Sequence, residues 1–284
     1  MADFALGPHR FDFSRQTYLR GVVNLSADSW YRESVVLSAD AAIRRGRVLR
    51  EQGAAIIDIG AESTLAHAAQ VDGAAQESAL VPVVRELAAA GICVSVETYH
   101  PGVTTACLKA GAKVLNLTGT TGCEEIFREV ADFDAGVIIC FVQGDNVREV
   151  GDLDLGRDPI AALYEFFARQ IEAATNAGVS RIWIDPGLGF YYRNLQDSGA
   201  RVRHQMHIFL NSFRLRRLGW PVCQALPHAF ECFQEEVRVA EPFFAVLALL
   251  GQANLLRTHE VARVRGVLRA LELVRGGEDI LPPA

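Results

Sequence analysis

The sequence predicts an α/β protein of one domain, a (β/α)8 or TIM barrel. Three observations lead there. Short apolar, β-rich runs alternate eight times with segments of helical spacing. Half of the 284 residues are hydrophobic, enough for one large undivided core. Polar side chains gather at the ends of nearly all the apolar runs, where parallel α/β folds bind ligands. A doubly wound open sheet is the other architecture that such alternation allows. The domain is expected to span residues 1–284, with a lead-in over about 1–17 and a frayed tail over about 276–284.

The segment His9 to Ser14 reads as a small hairpin covering the bottom of the barrel. Leu19 to Leu25 is the first barrel strand, and Ala39 to Gln52 follows as a helix closed by Gly53. Ala55 to Ile59 is the second strand and Gln76 to Ala90 its helix, ended by Gly91. Ile92 to Val96, Val114 to Leu117 and Val137 to Phe141 read as strands three to five. Helices fit Pro101 to Ala110, Glu124 to Asp132 and Pro159 to Ala177, with each proline in a first turn, where a missing N–H is harmless. The sixth strand is Arg181-Ile182-Trp183-Ile184-Asp185, stopped by Pro186 and Gly187. Arg201 to Leu218 is the next helix, Val222 to Leu226 a weak seventh strand and Glu235 to Leu250 a helix. Asn254 to Arg257 is the eighth strand and Val261 to Val274 the last helix.

Composition excludes several classes of function. Net charge is −6 with no Lys/Arg run, so nucleic acid is not an expected partner. The longest apolar stretch, Pro242 to Gly251, falls short of the ~18 residues that cross a membrane, so no membrane association is expected. The start lacks a basic region followed by an apolar core, so no secretion signal is read. The six cysteines form no CxxC pair, which suits reduced thiols and a cytoplasmic location.

The strand tips carry the chemistry. Asn24 ends strand one. Asp58 ends strand two, followed by Glu62, Ser63 and Thr64. Glu97, Thr98 and Tyr99 close strand three, Asn116 and Thr118 strand four, and strand five leads to Gln143. Asp185 closes strand six, and strand eight brings Arg257 and His259. Singly, each also suits a helix cap, a turn former or a satisfied buried polar group. Together, Glu97, Asn116 and Asp185 suit the edge of a planar, nitrogen-rich heterocycle, because carboxylates accept from ring N–H and amino groups while an amide both donates and accepts. Gly189 lets backbone approach what Asp185 holds. Arg257 and His259, two apart on an extended segment, suit an anion. Asn24 offers Mg²⁺ a neutral oxygen or a phosphate a donor.

Six stretches resemble dihydropteroate synthase, the folate-pathway enzyme of the pterin-binding barrel superfamily, over about Arg10 to Leu273. Gly21-Val22-Val23-Asn24-Leu25-Ser26-Ala27-Asp28-Ser29-Trp30 resembles the family's GILNVTPDSF, and Asp58-Ile59-Gly60-Ala61-Glu62-Ser63-Thr64 its DIGGEST. Ser95-Val96-Glu97-Thr98-Tyr99 stands for SVDTY, and Gly111-Ala112-Lys113-Val114-Leu115-Asn116 for GAxxIN. Asp185-Pro186-Gly187-Leu188-Gly189-Phe190 matches DPGIGF, and Arg257-Thr258-His259-Glu260-Val261 matches RVHDV. The resemblance implies a transferase that condenses hydroxymethyl-dihydropterin pyrophosphate with an arylamine such as p-aminobenzoate. It implies that Glu97, Asn116, Asp185, Gly189 and Phe190 hold the pterin. Asn24, Arg257 and His259 are implied as the catalytic, pyrophosphate-holding set, with Mg²⁺ as cofactor on Asn24. Ser63, Thr64, Tyr191, Tyr192 and His228 are implied to shape the second-substrate site, and a homodimer is implied, formed through the helices that carry Phe243 and Leu250.

The chain also departs from the family. Glu97 replaces an Asp, Leu65-Ala66 replaces Arg-Pro, and Tyr191-Tyr192-Arg193 stands where a Lys is usual. Leu117 replaces the fourth-strand Asp, and Phe141 occupies the strand-five His position. The seventh-strand Ser-Arg-Lys segment is absent, and Pro221-Val222-Cys223-Gln224-Ala225-Leu226-Pro227-His228 stands in its place. An altered second substrate or pterin is therefore expected. Folate-dependent one-carbon transfer and non-catalytic pterin binding are the alternatives.

Overall fold

In the computed structural model, eight parallel strands surround a common axis and carry helices on their outer face. Residues 3–26, 35–36, 38–63, 68–190 and 192–276 are described, with backbone alone at 235 and 274–276. Asp28, Ser29, Thr64 to His67, Tyr191 and the tail beyond 276 lie outside the described residues.

The chain opens with an antiparallel hairpin, β1 (Phe4–Leu6) and β2 (His9–Phe11), earlier and longer than the sequence suggests. The barrel strands are β3 (Tyr18–Asn24), β4 (Ile56–Gly60), β5 (Val94–Thr98), β6 (Val114–Leu117), β7 (Gly136–Cys140), β8 (Ile182–Asp185), β9 (Cys223–Ala225) and β10 (Leu255–Thr258). Neighbours pair in parallel in the order β8-β7-β6-β5-β4-β3-β10-β9. The ring closes between β8 and β9, where Ile184 N donates to Pro221 O at 3.1 Å. This is a barrel and not an open sheet.

Side-chain alternation separates two cores. Leu19, Val23, Ile57, Ile59, Val94 and Val96 face outward and meet the helices. Ile56, Cys93, Val114, Ile138, Trp183 and Leu255 face inward. The hairpin plugs the inner core from below: Phe4 meets Trp183 edge-on at 4.7 Å between ring centroids, and Phe13 meets it at 5.9 Å. The bottom is thereby sealed with apolar side chains, and the polar tips lie at the other end.

The helices follow their local signals. α1 (Ala39–Gln52) is capped by Ser38 Oγ on Ala41 N and ended by Gly53 in the left-handed region, at φ 110°. α2 (Gly73–Ala89) begins earlier than its apolar spacing suggests because Asp72 caps Ala75 N. α3 (Pro101–Lys109), α4 (Cys123–Asp132) and α5 (Pro159–Asn176) match expectation, with Pro101 and Pro159 in first turns. The next two expected helices are each interrupted. α6 (Ser198–Asn211) passes into a 3-10 segment, Ser212–Leu218, where Ser212 Oγ donates to Phe209 O or Gly251 O at 2.9 Å. The single helix expected over Glu235 to Leu250 is instead α7 (Phe230–Phe233), a 3-10 segment Gln234–Val239, and α8 (Ala240–Leu250). Positive φ at Ala229 and Gln234 brackets α7. α9 (Val261–Gly276) completes the ring.

Candidate active site

One cavity opens at the C-terminal end of the strands, lined by all three residues expected to hold a flat heterocycle, Glu97, Asn116 and Asp185. They belong to adjacent strands β5 and β6 and to β8, and register places Glu97 opposite Asn116. Asn116 Nδ2 donates to Glu97 Oε2 at 3.4 Å, and the Cys140 thiol donates to Asn116 Oδ1 at 3.2 Å. Gly187 N donates to Asp185 Oδ1 at 2.9 Å, turning the carboxylate at the strand end. Gln205 Nε2 donates to Leu188 O at 2.9 Å and so fixes the loop that carries Gly189 and Phe190, both on the cavity wall. A Cβ at Gly187 would collide with Phe141 O, at a φ of +74°. A Cβ at Gly189 would meet only Ala225 Cβ at 3.7 Å, so its small size serves the cavity and not the packing.

Arg257 stands among these acids. Its Nε donates to Asp58 Oδ2 at 2.7 Å and its Nη2 to Glu97 Oε2 at 2.6 Å. Ser95 Oγ donates to Asp58 Oδ1 at 2.7 Å. Burial alone would raise the pKa of Asp58, but the charges of Arg20 and Arg257 hold it below the usual carboxylate value. Glu97 and Asp185 lie above theirs, because burial outweighs the nearby guanidinium groups. Arg257 was expected on an anion. In the structure it is committed to two carboxylates, because the barrel closes β10 against β3 and aims this side chain inward.

Beside Arg257, two histidines meet on one buried acid. Glu241, at the start of α8, is fully buried and accepts from His259 Nδ1 at 2.7 Å, from His259 N at 2.9 Å and from Glu260 N at 3.1 Å. Thr258 Oγ1 also donates to it, and His228 Nε2 lies 3.1 Å from its Oε1. Burial would raise Glu241's pKa, yet the two histidines and their hydrogen bonds pull it well below the ordinary range. It is the acceptor in every contact, so His259 carries its proton on Nδ1 and turns Nε2 away from the acid. Burial lowers the pKa of His259 to about 4 against the pull of Glu241. His228, Glu241 and His259 place one ligand atom each within 4.8 Å of one another. Their contacts with Glu241 are at hydrogen-bond length.

Asn24, Ser63 and His228 also line the cavity. Tyr192 does not: its ring is buried in the helix-facing core and its hydroxyl accepts from Gln143 N at 3.2 Å. Arg193 points away to Asp152 at 3.5 Å, both exposed. The expectation that Tyr192 shapes a second-substrate site on this cavity is therefore corrected; the tight turn after Gly187 carries the chain past the cavity before it reaches Tyr192 and Arg193. Thr64 and Tyr191 fall outside the described residues. Glu62, Ser63, Arg201 and Glu231 also line the cavity. Arg148 ties both flanks of residues 64–67, donating to Ser63 O at 2.7 Å and to Ala68 O at 2.5 Å. Arg201 Nη2 donates to Glu231 Oε1 at 2.6 Å.

Sequence reasoning missed Arg20, Cys140 and Glu241. Arg20 carried a usable signal, a lone charge inside the apolar run Leu19 to Val23. Glu241 carried none, since a Glu in the first turn of a helix is ordinary.

Known proteins resemble this chain throughout. A family model described as pterin binding enzyme matches residues 20–226. The folate synthesis bifunctional protein of Arabidopsis thaliana is 34% identical over 90% of this chain, which spans 56% of that protein's length. The dihydropteroate synthase of Synechocystis is 30% identical over 76% of this chain and 73% of its own. Among solved structures, Xanthomonas albilineans dihydropteroate synthase with 4-aminobenzoic acid is 27% identical, covers 99% of both chains and superposes with a TM-score of 0.81.

Proposed function

The chain belongs to the pterin-binding enzyme family, among the dihydropteroate synthases, and from that premise we propose that it condenses a hydroxymethyl-dihydropterin pyrophosphate with an arylamine such as p-aminobenzoate. The observation that carries this is the convergence of Glu97, Asn116 and Asp185 on one cavity that His228 and His259 share. The carboxylates take the amino and ring N–H donors of the pterin, and Asn116 matches a donor and an acceptor together. Gly189 and Phe190 then bound the flat face of the ring.

In the reaction the amine nitrogen forms a bond to the exocyclic methylene carbon. The bond from that carbon to the pyrophosphate oxygen breaks, pyrophosphate takes the electron pair, and the amine loses a proton. Charge develops on the leaving oxygen, so donors fixed beside it lower the barrier. In this reading His259, oriented by Glu241, and His228 supply those donors. The phosphate charge favours the protonated form of His259, in which both ring nitrogens donate.

Magnesium is part of this reading. Asn24 offers one neutral oxygen on the cavity wall. That suits an ion which keeps several waters and takes its remaining oxygens from a substrate phosphate. When bound it would neutralise leaving-group charge.

A homodimer is proposed through the face of α8, where Phe243 is 43% and Leu250 60% exposed. A solution mass of one chain would exclude it. A cytoplasmic setting suits six cysteines without a disulfide, and among the described residues no helix is long and apolar enough to cross a membrane.

The test of activity is pyrophosphate release from hydroxymethyl-dihydropterin pyrophosphate with a panel of arylamines. Release that depends on one amine is expected, and silence with all of them would overturn the proposal. One-carbon transfer from a folate would leave the pair on Glu241 with no anion to hold, and no observation favours it.

A further inference from the structure

Among the described residues Arg20 is fully enclosed, at 0% exposure, as are Asp58 and Glu241. It lies on β3, where Leu19 and Val23 face the helices, so its side chain runs inside the barrel. Its register partners are Ile56 on β4 and Arg257 on β10, and its guanidinium reaches the cavity floor. Asp58 Oδ1 lies 3.5 Å from Nη1, an ion pair but not a hydrogen bond. The carboxylate of Asp58 is already engaged by Ser95 and Arg257. None of Nε, Nη1 and Nη2 has a hydrogen-bond partner among the described residues.

A buried guanidinium without acceptors is costly, since the water it leaves is not replaced. Arg20 shares its cavity with two acids and an amide that suit a donor edge. On a pterin ring that edge, an amino group beside a ring N–H, is flanked by a carbonyl oxygen. A cation flanking the acids is the complementary pattern. The seventh strand, where the family carries a lysine, contributes Ala225 and Leu226 to the cavity and no charge.

The structure assigns Arg20 as a substrate-binding and specificity-determining residue, whose guanidinium donates to the carbonyl oxygen beside the donor edge of the bound heterocycle. It supplies from β3 the cation that the seventh strand lacks. This inference rests on the pterin reading above. It predicts that the protein prefers a ring with an acceptor at that position and rejects one with a donor there.

The experiment measures, by titration calorimetry, binding of pterin and of an analogue whose ring carbonyl is exchanged for an amino group. Wild type, Arg20→Met and Arg20→Lys are compared, with melting temperature as the control for folding. The methionine fills a similar volume without orphaned N–H groups, but it removes one of the two charges beside buried Asp58, so a modest fall in melting temperature is expected and binding is compared where each variant is folded. Wild type is expected to prefer pterin. Arg20→Met should bind pterin about ten- to hundredfold more weakly, as for loss of a hydrogen bond to a charged group. The preference over the analogue should collapse, and Arg20→Lys should recover part of it. Unchanged pterin affinity and unchanged preference in Arg20→Met would overturn the assignment and leave the pterin reading intact. A fall in melting temperature without a change in preference would make Arg20 a counter-ion of Asp58 and overturn it too. Wild type that binds neither ring would remove the pterin reading itself.

Discussion

Arg257 Nη2 lies 2.6 Å from Glu97 Oε2, across 160 residues of sequence, and the same guanidinium holds Asp58 through Nε at 2.7 Å. One cation therefore orders two of the acids in the barrel interior. Glu97 Oε2 is occupied by Arg257 and Asn116, which leaves Oε1 for a ligand donor. Arg257→Leu should destabilise the fold by about 3 kcal/mol, because it strands Glu97 as a buried charge. Thermal or denaturant unfolding measures this, and a loss under about 0.5 kcal/mol would show that the pair is not needed.

Asp185→Asn keeps the shape of the side chain and removes its charge. With its carboxylate gone, kcat/KM for the pterin substrate should fall about ten- to hundredfold. Steady-state kinetics with the amine saturating reads this directly, and near-wild-type turnover would detach Asp185 from the pterin.

Glu241→Gln tests the histidine pair. The amide cannot accept from two rings and two backbone N–H groups as a carboxylate does. Turnover should fall about tenfold or more, while affinity for unphosphorylated pterin stays unchanged. Equal loss in both measurements would instead mean that Glu241 merely supports the fold.

His259 has a folded pKa of about 4 against an ordinary value of 6.5. The unfolded chain therefore takes up a proton in that window before the folded one does. Its contribution to stability is fully present above about 6.5 and is lost as pH falls towards about 4. The melting temperature of wild type should decline over this window, and His259→Gln should decline less. Burial also lowers the pKa of His9 and His204, so some slope should remain in the variant. Identical slopes would place the titration elsewhere.

The two loop glycines should respond in opposite ways. Gly187→Ala meets Phe141 O at a positive φ and should destabilise by about 1–3 kcal/mol or more. Gly189→Ala finds only ordinary contact with Ala225, so it should fold normally and weaken pterin binding. Matching melting temperatures for the two would contradict this geometry.

Sequence by itself determined the barrel, because eight short apolar runs alternating with amphipathic segments have few other ways to bury themselves. It also located the floor: Glu97, Asn116 and Asp185 end their strands, and strand ends share one mouth. Helix ends at Gly53, Pro101 and Pro159 were legible because caps act within a turn of chain. Only the tertiary structure decided who partners whom. Arg257 reads as a cavity cation from its position, but that closure of the ring brings it against Asp58, 199 residues away, is not written in the sequence. Glu241 lies on the helix before β10 and reaches His259 only because α8 packs against that strand. Tyr192 follows the site loop directly, yet a tight turn sends its ring into the core. The depth of Arg20 and its lack of hydrogen-bond acceptors among the described residues are likewise products of strand direction and closure. Periodicity is a local property of a chain, whereas the neighbours of a charge are set by elements far apart in sequence.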